Sequence, residues 1–371
     1  MIEMNVNVRS IEPYKLVSQD IWRGKQNIIK ADWNEEFFRN KKVEKVIINF
    51  VKKGLYSYYP DVEAKELRET LSEFHSIPIN NISVFNGSDE ALDVICRTFL
   101  NQGDKVVIRN PEYTNFYVFV QSMGAVLLKH FQKNPFVLSK NDFLEYLERE
   151  KPKMVYLSNP NNPTGILYPK EFLKSLIENF KSTLFVIDEA YVHFAYEKIE
   201  DMDFFLKLSI NTSNLIVVRT FSKLFSLAGL RIGYIVSNED IIKALNLIKK
   251  PKNVTMVSQI AAREAIRHWD FYNDKKIEIL KAKNYFCNKA AALYFVKRVY
   301  NSNSNFVCVE VKEEIDIHKT IEFLKKEGVY VRDRSYIPQL DRIFRVTITG
   351  FEQVEQILNK FYKLENRVLN K

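Results

Sequence analysis

Glycine is scarce in this chain of 371 residues: there are 10, where an average protein devotes about 7% of its residues to it. A chain that spares glycine keeps it where a positive φ or a close backbone approach demands it. Gly87, Gly165, Gly229 and Gly233 are therefore expected to mark segments of unusual backbone geometry. Cysteine is rarer still. Cys96, Cys287 and Cys308 lie far apart among apolar neighbours, which excludes a disulfide framework or a thiolate metal site and points to a reducing compartment. No apolar run approaches membrane-spanning length, and the first residues lack the apolar core of a secretory signal, so the expectation is a soluble, cytoplasmic protein without a membrane partner. The net charge of +9 is not gathered into one basic run. Its lysines fall in scattered pairs such as Lys41-Lys42 and Lys249-Lys250, the pattern of solvated helix faces rather than of a nucleic-acid surface. A dispersed positive balance suits small anionic metabolites as partners. Internal repeats and low-complexity linkers are missing too.

What the chain does have is alternation. Between residues 80 and 240, short apolar runs take turns with amphipathic stretches of helical period. Ile82–Phe85, Val106–Ile108, Met154–Leu157, Leu184–Ile187, Leu215–Val218 and Ile232–Val236 read as strands; Ala91–Leu100, Asn115–Met123, Lys170–Phe180 and Glu239–Lys249 read as helices. The strands are continuously apolar, so both of their faces must be covered. That predicts an α/β fold with a mostly parallel sheet sandwiched by helices. Beyond Pro251 a long helical region from Val257 to Tyr294 leads to strands near Phe306–Val311, Val329–Arg332 and Phe344–Thr349, with helices at Ile317–Glu327 and Glu352–Leu364. The expected organisation is an N-terminal arm or small-domain segment at residues 1–35, a large domain at 36–250 and a smaller C-terminal α/β domain at 251–371.

A parallel sheet binds its ligand beyond the carboxyl ends of its strands, and each chemically suggestive segment falls there. Gly87-Ser-Asp-Glu90 opens a helix; Ser88 and Asp89 can cap it, and its free N–H groups can hold a phosphate, although an ordinary cap reads the same way. Tyr113, in Asn110-Pro-Glu-Tyr113, can lie flat on a planar ring or simply pack in the core. Ser158-Asn-Pro-Asn-Asn-Pro-Thr-Gly165 is a rigid loop that can hold the Asn162 amide at a fixed point. Asp188, in Asp188-Glu-Ala-Tyr191, is a carboxylate at the end of an apolar strand, which is costly without a cationic partner. A protonated pyridine nitrogen is such a partner, with Tyr191 in reach of the ring's phenolate oxygen. A nucleotide or metal role for Asp188 lacks companion carboxylates or a phosphate-loop lysine. Finally, Arg219-Thr-Phe-Ser-Lys-Leu-Phe-Ser-Leu-Ala-Gly-Leu-Arg231 sets Lys223 among Thr220, Ser222 and Arg231, groups that can gather an anion beside an amine able to bind an aldehyde.

In this order, these segments resemble the fold-type I enzymes dependent on pyridoxal 5′-phosphate, most closely the histidinol-phosphate aminotransferase group. The resemblance runs from Val8-Arg-Ser-Ile-Glu-Pro-Tyr14 to Phe344-Arg-Val-Thr-Ile-Thr-Gly350. It implies that Lys223 holds the cofactor as a Schiff base and shuttles a proton, that Asp188 pairs with the pyridinium nitrogen, and that Tyr191 and Asn162 bond the phenolate oxygen. Ser88, Asp89, Thr220, Ser222 and Arg231 would hold the cofactor phosphate, with Tyr113 stacked on the ring. Tyr59, in Gly54-Leu-Tyr-Ser-Tyr-Tyr-Pro60, would reach the phosphate of the other subunit of a homodimer with shared sites. Arg345 would grip the substrate carboxylate, a task suited to a bidentate fork. Tyr14, Asn34 and Arg332 would lie at the substrate's variable end, where the family binds a phosphate ester. No metal is implied.

Two departures touch the substrate side. The family's early Asn-Glu-Asn-Pro-like segment is Asp32-Trp-Asn-Glu-Glu-Phe37 here, and the stretch after Arg345 ends in Gly350-Phe-Glu-Gln-Val354. The implied activity is transfer of nitrogen from glutamate to a small phosphorylated ketone, imidazole-acetol phosphate or a shorter one such as dihydroxyacetone phosphate. Trp33, bulky where the family has a slimmer residue, suggests the smaller acceptor. Decarboxylation of a phosphorylated amino acid is the alternative on the same scaffold, and a binding protein that has lost its chemistry is a third reading.

Overall fold

The computed structural model describes residues 3–9, 11 and 28–369. The chain's first strand, β1 (Ile29–Ala31), is the parallel edge of a sheet completed only near the C-terminus. The chain first builds a larger sheet from β2 (Ile82–Phe85), β3 (Lys105–Asn110), β4 (Val126–Phe131), β5 (Met154–Ser158), β6 (Leu184–Asp188), β7 (Leu215–Thr220) and β8 (Gly233–Val236). Their spatial order is β2-β8-β7-β6-β5-β3-β4. β3 runs parallel to β4 and β5, β5 to β6 and β6 to β7; β8 alone runs against its neighbours β2 and β7.

Both faces of this sheet are buried, as continuous apolar strands require. Val107, Val155, Ile187 and Val217 enter one hydrophobic cluster, while the intervening Val106, Ile108, Met154, Val186, Ile216 and Val218 enter a second on the other face. The edge strand β4 is the exception, mostly exposed or half-exposed along Val-Leu-Leu-Lys-His-Phe, and its mixed sequence gives no strand signal of its own.

The smaller sheet adds β9 (Val296–Tyr300), β10 (Phe306–Val311), β11 (Val329–Asp333) and β12 (Ile343–Thr347) to β1, in the order β1-β11-β12-β10-β9. Its core includes Val307, Val309, Val331, Phe344 and Val346, closed by Ile357 and Phe361 of the helix Phe351–Leu369.

The helical region after Pro251 differs from a single long helix. It breaks at His268, whose φ and ψ of −114° and 38° leave the helical region, giving helices Met256–Arg267 and Trp269–Ala291. Ala261, Ala265, Tyr272 and Ile279 pack in the larger sheet's core, whereas Ala282, Phe286 and Ala290 pack in the smaller one's. The change of packing partner thus falls inside the second helix and not at Pro251. Among the described residues no helix is long and apolar enough to cross a membrane, and Cys96, Cys287 and Cys308 are unpaired thiols.

Candidate active site

The parallel strands deliver their last residues to one edge of the sheet. Asp188 ends β6 and is almost fully buried. Its Oδ2 accepts a hydrogen bond from the Tyr156 hydroxyl at 2.8 Å and its Oδ1 one from the Ala190 N–H at 3.0 Å. Burial pushes its carboxyl up to about 6, and these two donors limit the rise. Lys223 lies just past β7, with its Nζ donating to the Trp33 carbonyl at 2.9 Å and 5.6 Å from the centre of the Tyr191 ring. Tyr191 stands edge-on to Phe306, and its hydroxyl accepts from Asn34 Nδ2 at 2.8 Å.

An anion cradle adjoins this group. The helix Gly87–Phe99 begins without a side-chain cap, so Ser88 and Asp89 occupy its first turn rather than capping it as the sequence suggested; Glu90 instead accepts from the Asn86 N–H. An uncapped first turn presents N–H groups and the positive end of the helix dipole. Thr220 Oγ1 donates to Ser222 Oγ at 2.9 Å, Arg231 Nη1 donates to the same oxygen at 3.4 Å, and Arg231 Nη2 pairs with Asp89 at 3.2 Å. Gly87 has a φ of +77°. At Gly233 a Cβ would stand 2.8 Å from both the Ser88 nitrogen and the Arg219 carbonyl, so only glycine lets β8 approach the helix start. Gly165 shares the positive φ, but Gly229 has neither a positive φ nor a close neighbour, against expectation.

Every expected cofactor residue except Tyr59 lines this one cleft, with Ser158 and Ala190 beside them. Tyr113 donates its hydroxyl proton to Asp89 at 2.8 Å. Tyr59 lies away from the cleft, 80% exposed, under the Lys252 ammonium at 3.9 Å. Tyr14 falls outside the described residues.

Of the residues expected at the substrate, Arg332 of β11 and Arg345 of β12 are directly opposite across an antiparallel ladder, and both are buried. Arg345 donates to Asn162 Oδ1 and to the Asp32 carbonyl, each at 2.6 Å. Desolvation and the neighbouring Arg334 charge push its guanidinium down to about 9. Asn34 is fully enclosed: besides bonding Tyr191, its side chain accepts from Thr347 at 3.0 Å. Trp33 presents its carbonyl to Lys223, and its indole packs 4.1 Å from Lys30 Nζ.

Several contributors gave no distinct signal in the sequence. Tyr156 and Thr347 look like ordinary core residues there, and Arg334 like a surface charge. Glu112 is buried and accepts from the Ser158 hydroxyl and N–H and from the Tyr113 N–H. Burial raises its carboxyl to about 8 against those bonds. Behind Asp188, Arg219 is completely buried between Glu189 and Asp203, and His75 joins Asp203 at 2.8 Å. An arginine inside the apolar run of β7 was the available clue, since a buried cation requires carboxylates.

Fold and cleft together define an α/β transferase built around an amine, a strand-end carboxylate and an anion cradle. The sequence model of aminotransferase class I and II matches residues 27–361, and the chain belongs to that family. It is 35% identical over 337 residues to a histidinol-phosphate aminotransferase of Thermoanaerobacter sp. (strain X514), covering 90% of this chain and 92% of that protein. It is 32% identical to the dihydroxyacetone phosphate transaminase Cj1437c of Campylobacter jejuni, covering 99% and 98%. A crystal structure of histidinol-phosphate aminotransferase from Sinorhizobium meliloti in complex with pyridoxal 5′-phosphate superposes with a TM-score of 0.88 at 23% identity, covering 99% of both chains. The protein is therefore a pyridoxal-phosphate-dependent transaminase. Its own residues fit that cofactor. The uncapped helix start, opened by a glycine approach that a Cβ would fill, suits a phosphate, and the enclosed Asp188 carboxylate suits a protonated ring nitrogen.

Proposed function

We propose that this enzyme moves an amino group from glutamate to a small phosphorylated ketone. The observation that carries the reading is the buried pair Arg332 and Arg345, facing each other across the β11–β12 ladder next to Asn162, which itself lines the Lys223 cleft. Two desolvated guanidinium groups can serve a carboxylate in one half-reaction and a phosphate in the other. Two relatives that align over nine-tenths or more of both chains carry names with phosphorylated substrates, one an imidazole compound's and one a triose's, which supports this class.

When bound, pyridoxal phosphate supplies an electron sink for the bond broken at the substrate's α-carbon. The chain's residues do the rest. Lys223 would hold the cofactor through its Nζ, and the same amine would take up and return the proton of the substrate's α-carbon. Asp188 keeps the ring nitrogen protonated, helped by Tyr156, which holds its carboxylate in place. Tyr191 and Asn162 donate to the ring oxygen, and Asn34 fixes Tyr191 through its hydroxyl. Ser88, Asp89, Thr220, Ser222 and Arg231 hold the phosphate; Tyr113 covers the ring. Arg345 takes the substrate carboxylate, and Arg332 with Tyr14 takes the distal anion. Tyr59, highly exposed among the exposed Leu55, Tyr56 and Tyr58, completes the site of a second copy in a homodimer. Residues 1–35 and 251–371 serve the substrate end and 36–250 the cofactor, and the three free thiols support a cytoplasmic workplace.

The test is spectroscopic. Glutamate added to the yellow holoenzyme should convert the cofactor to its amine form, and dihydroxyacetone phosphate or imidazole-acetol phosphate should restore the original spectrum. Release of carbon dioxide from a phosphorylated amino acid, with no amine form accumulating, would replace transamination by decarboxylation.

A further inference from the structure

A third arginine stands with the pair. Arg334 follows β11, and its N–H donates to the Ile343 carbonyl, so the antiparallel register runs on past the strand's end. Strand periodicity then puts Arg334 on the same face as Arg332. Its Nη2 lies 3.4 Å from Asn162 Oδ1, the atom that accepts from Arg345 at 2.6 Å, so two guanidinium groups converge on one neutral amide oxygen. Arg334 is only 6% exposed. Its other side-chain contact is the Tyr336 hydroxyl at 3.3 Å, and its Nε is buried without a partner, as is the Nε of Arg345. Each contact that Arg334 and Arg345 make through hydrogen bonds is thus to an uncharged oxygen. A buried cation is retained at such cost only when an anion compensates it, and Arg334 and Arg332 both depress the Arg345 guanidinium. Among the described residues, Arg334 and Arg345 therefore bring two buried positive charges to Asn162 with no carboxylate among their hydrogen-bond partners.

We infer that Arg334 is a specificity-determining residue of the distal anion subsite, where with Arg332 it reads the second negative charge of a phosphate monoester and so selects dianionic over monoanionic acceptors. This rests on the phosphorylated-ketone reading above. A phosphate ester is doubly charged above a pH of about 6, while a sulfate ester of the same tetrahedral shape stays singly charged. The selectivity ratio between them therefore isolates the extra charge from size and shape.

The experiment compares kcat/KM for dihydroxyacetone phosphate, dihydroxyacetone sulfate and free dihydroxyacetone at pH 8, using cofactor-saturated wild type, Arg334→Gln and Arg334→Lys. Losing one charged hydrogen-bond partner should shrink the phosphate-to-sulfate ratio about tenfold in Arg334→Gln, and Arg334→Lys should keep most of it. Binding is read separately as the protection that inorganic phosphate, relative to inorganic sulfate, gives the holoenzyme against thermal unfolding; this difference should shrink in Arg334→Gln in parallel. If Arg334→Gln does not fold, Arg334→Met removes the charge while filling the buried space, with the same expectation. A wild type that prefers phosphate, with the ratio undiminished in a folded uncharged variant, overturns the role of Arg334 alone. A wild type that uses dihydroxyacetone as well as its phosphate overturns the phosphorylated-ketone reading itself.

Discussion

Burial sets the chemistry of single residues in this cleft. Asp188 is enclosed at the end of β6 with Tyr156 and Ala190 as its donors, and the proposed function gives it the task of holding a ring nitrogen protonated. Asp188→Asn should retain the cofactor yet slow turnover by several orders of magnitude, because a neutral amide cannot stabilise the protonated ring; single-turnover rates with glutamate at near wild-type values would reduce Asp188 to a structural role. Lys223→Ala should lose both turnover and the absorbance of the attached cofactor, since among the described residues no other amine lines the cleft; a variant keeping both would end that assignment. Glu112 makes a separate prediction about stability. Its carboxyl is raised to about 8 in the folded protein from an ordinary 4.5, with burial the main cause. The folded state therefore holds a proton that the unfolded chain has already released, and stability contributed by this group is full below pH 4.5 and lost as the pH climbs to 8. Glu112→Gln should remove that slope, so its Tm relative to wild type should rise between pH 5 and pH 9. Parallel Tm curves over that range would mean that Glu112 is ionised throughout. The places of Asp188 and Lys223 in the cleft could be expected from the sequence, because a charged residue at the end of an apolar run is conspicuous. That of Glu112 could not, because it lies in the loop after β3 and its partner Ser158 comes from the end of β5, a contact no local pattern reveals.

Elements decide how closely these residues approach one another. β8 passes so near the start of the helix Gly87–Phe99 that a methyl group at Gly233 would collide with backbone atoms on both sides. Gly233→Ala should therefore destabilise the protein by roughly 1–3 kcal/mol through overpacking and weaken cofactor binding as well. Cofactor titration and thermal unfolding together check this, and an unchanged affinity would mean that the helix start is not the phosphate cradle. The arginine pair depends on pairing in the same way. Arg332 and Arg345 become neighbours only because β11 and β12 run antiparallel in one register. The strand periods announced two short strands there, but no periodicity reveals which strands pair. Similarly, β1 and β4 gave no usable signal: the first is three residues long, and the second is an edge strand, mostly exposed or half-exposed, with a mixed sequence.

At the scale of the whole molecule, the cleft lies between parts of the chain far apart in sequence. Asn34 and Trp33 near the N-terminus meet Tyr191 and Lys223 in the middle, and Thr347 near the C-terminus closes on Asn34. Tyr59 stays outside this meeting, exposed beside Lys252. If two copies share sites, a Tyr59→Ala protein mixed with a Lys223→Ala protein should recover activity, because heterodimers contain one site with both lesions and one with neither. No recovery despite demonstrated subunit exchange would make each site self-contained.

The sequence by itself determined the layered α/β architecture, since continuous apolar runs between amphipathic helices must be covered on both faces. It also determined the cofactor side of the cleft, where each group sits within a few residues of a strand's carboxyl end and its place follows from local order along the chain. Only the tertiary structure decided the substrate side. The convergence of Arg334 and Arg345 on Asn162, the anchoring of Tyr191 by Asn34, and the passage of one helix from the first core to the second all come from contacts between distant segments. Such contacts are set by which elements pack together, and that information is carried by the folded core as a whole rather than by any local pattern.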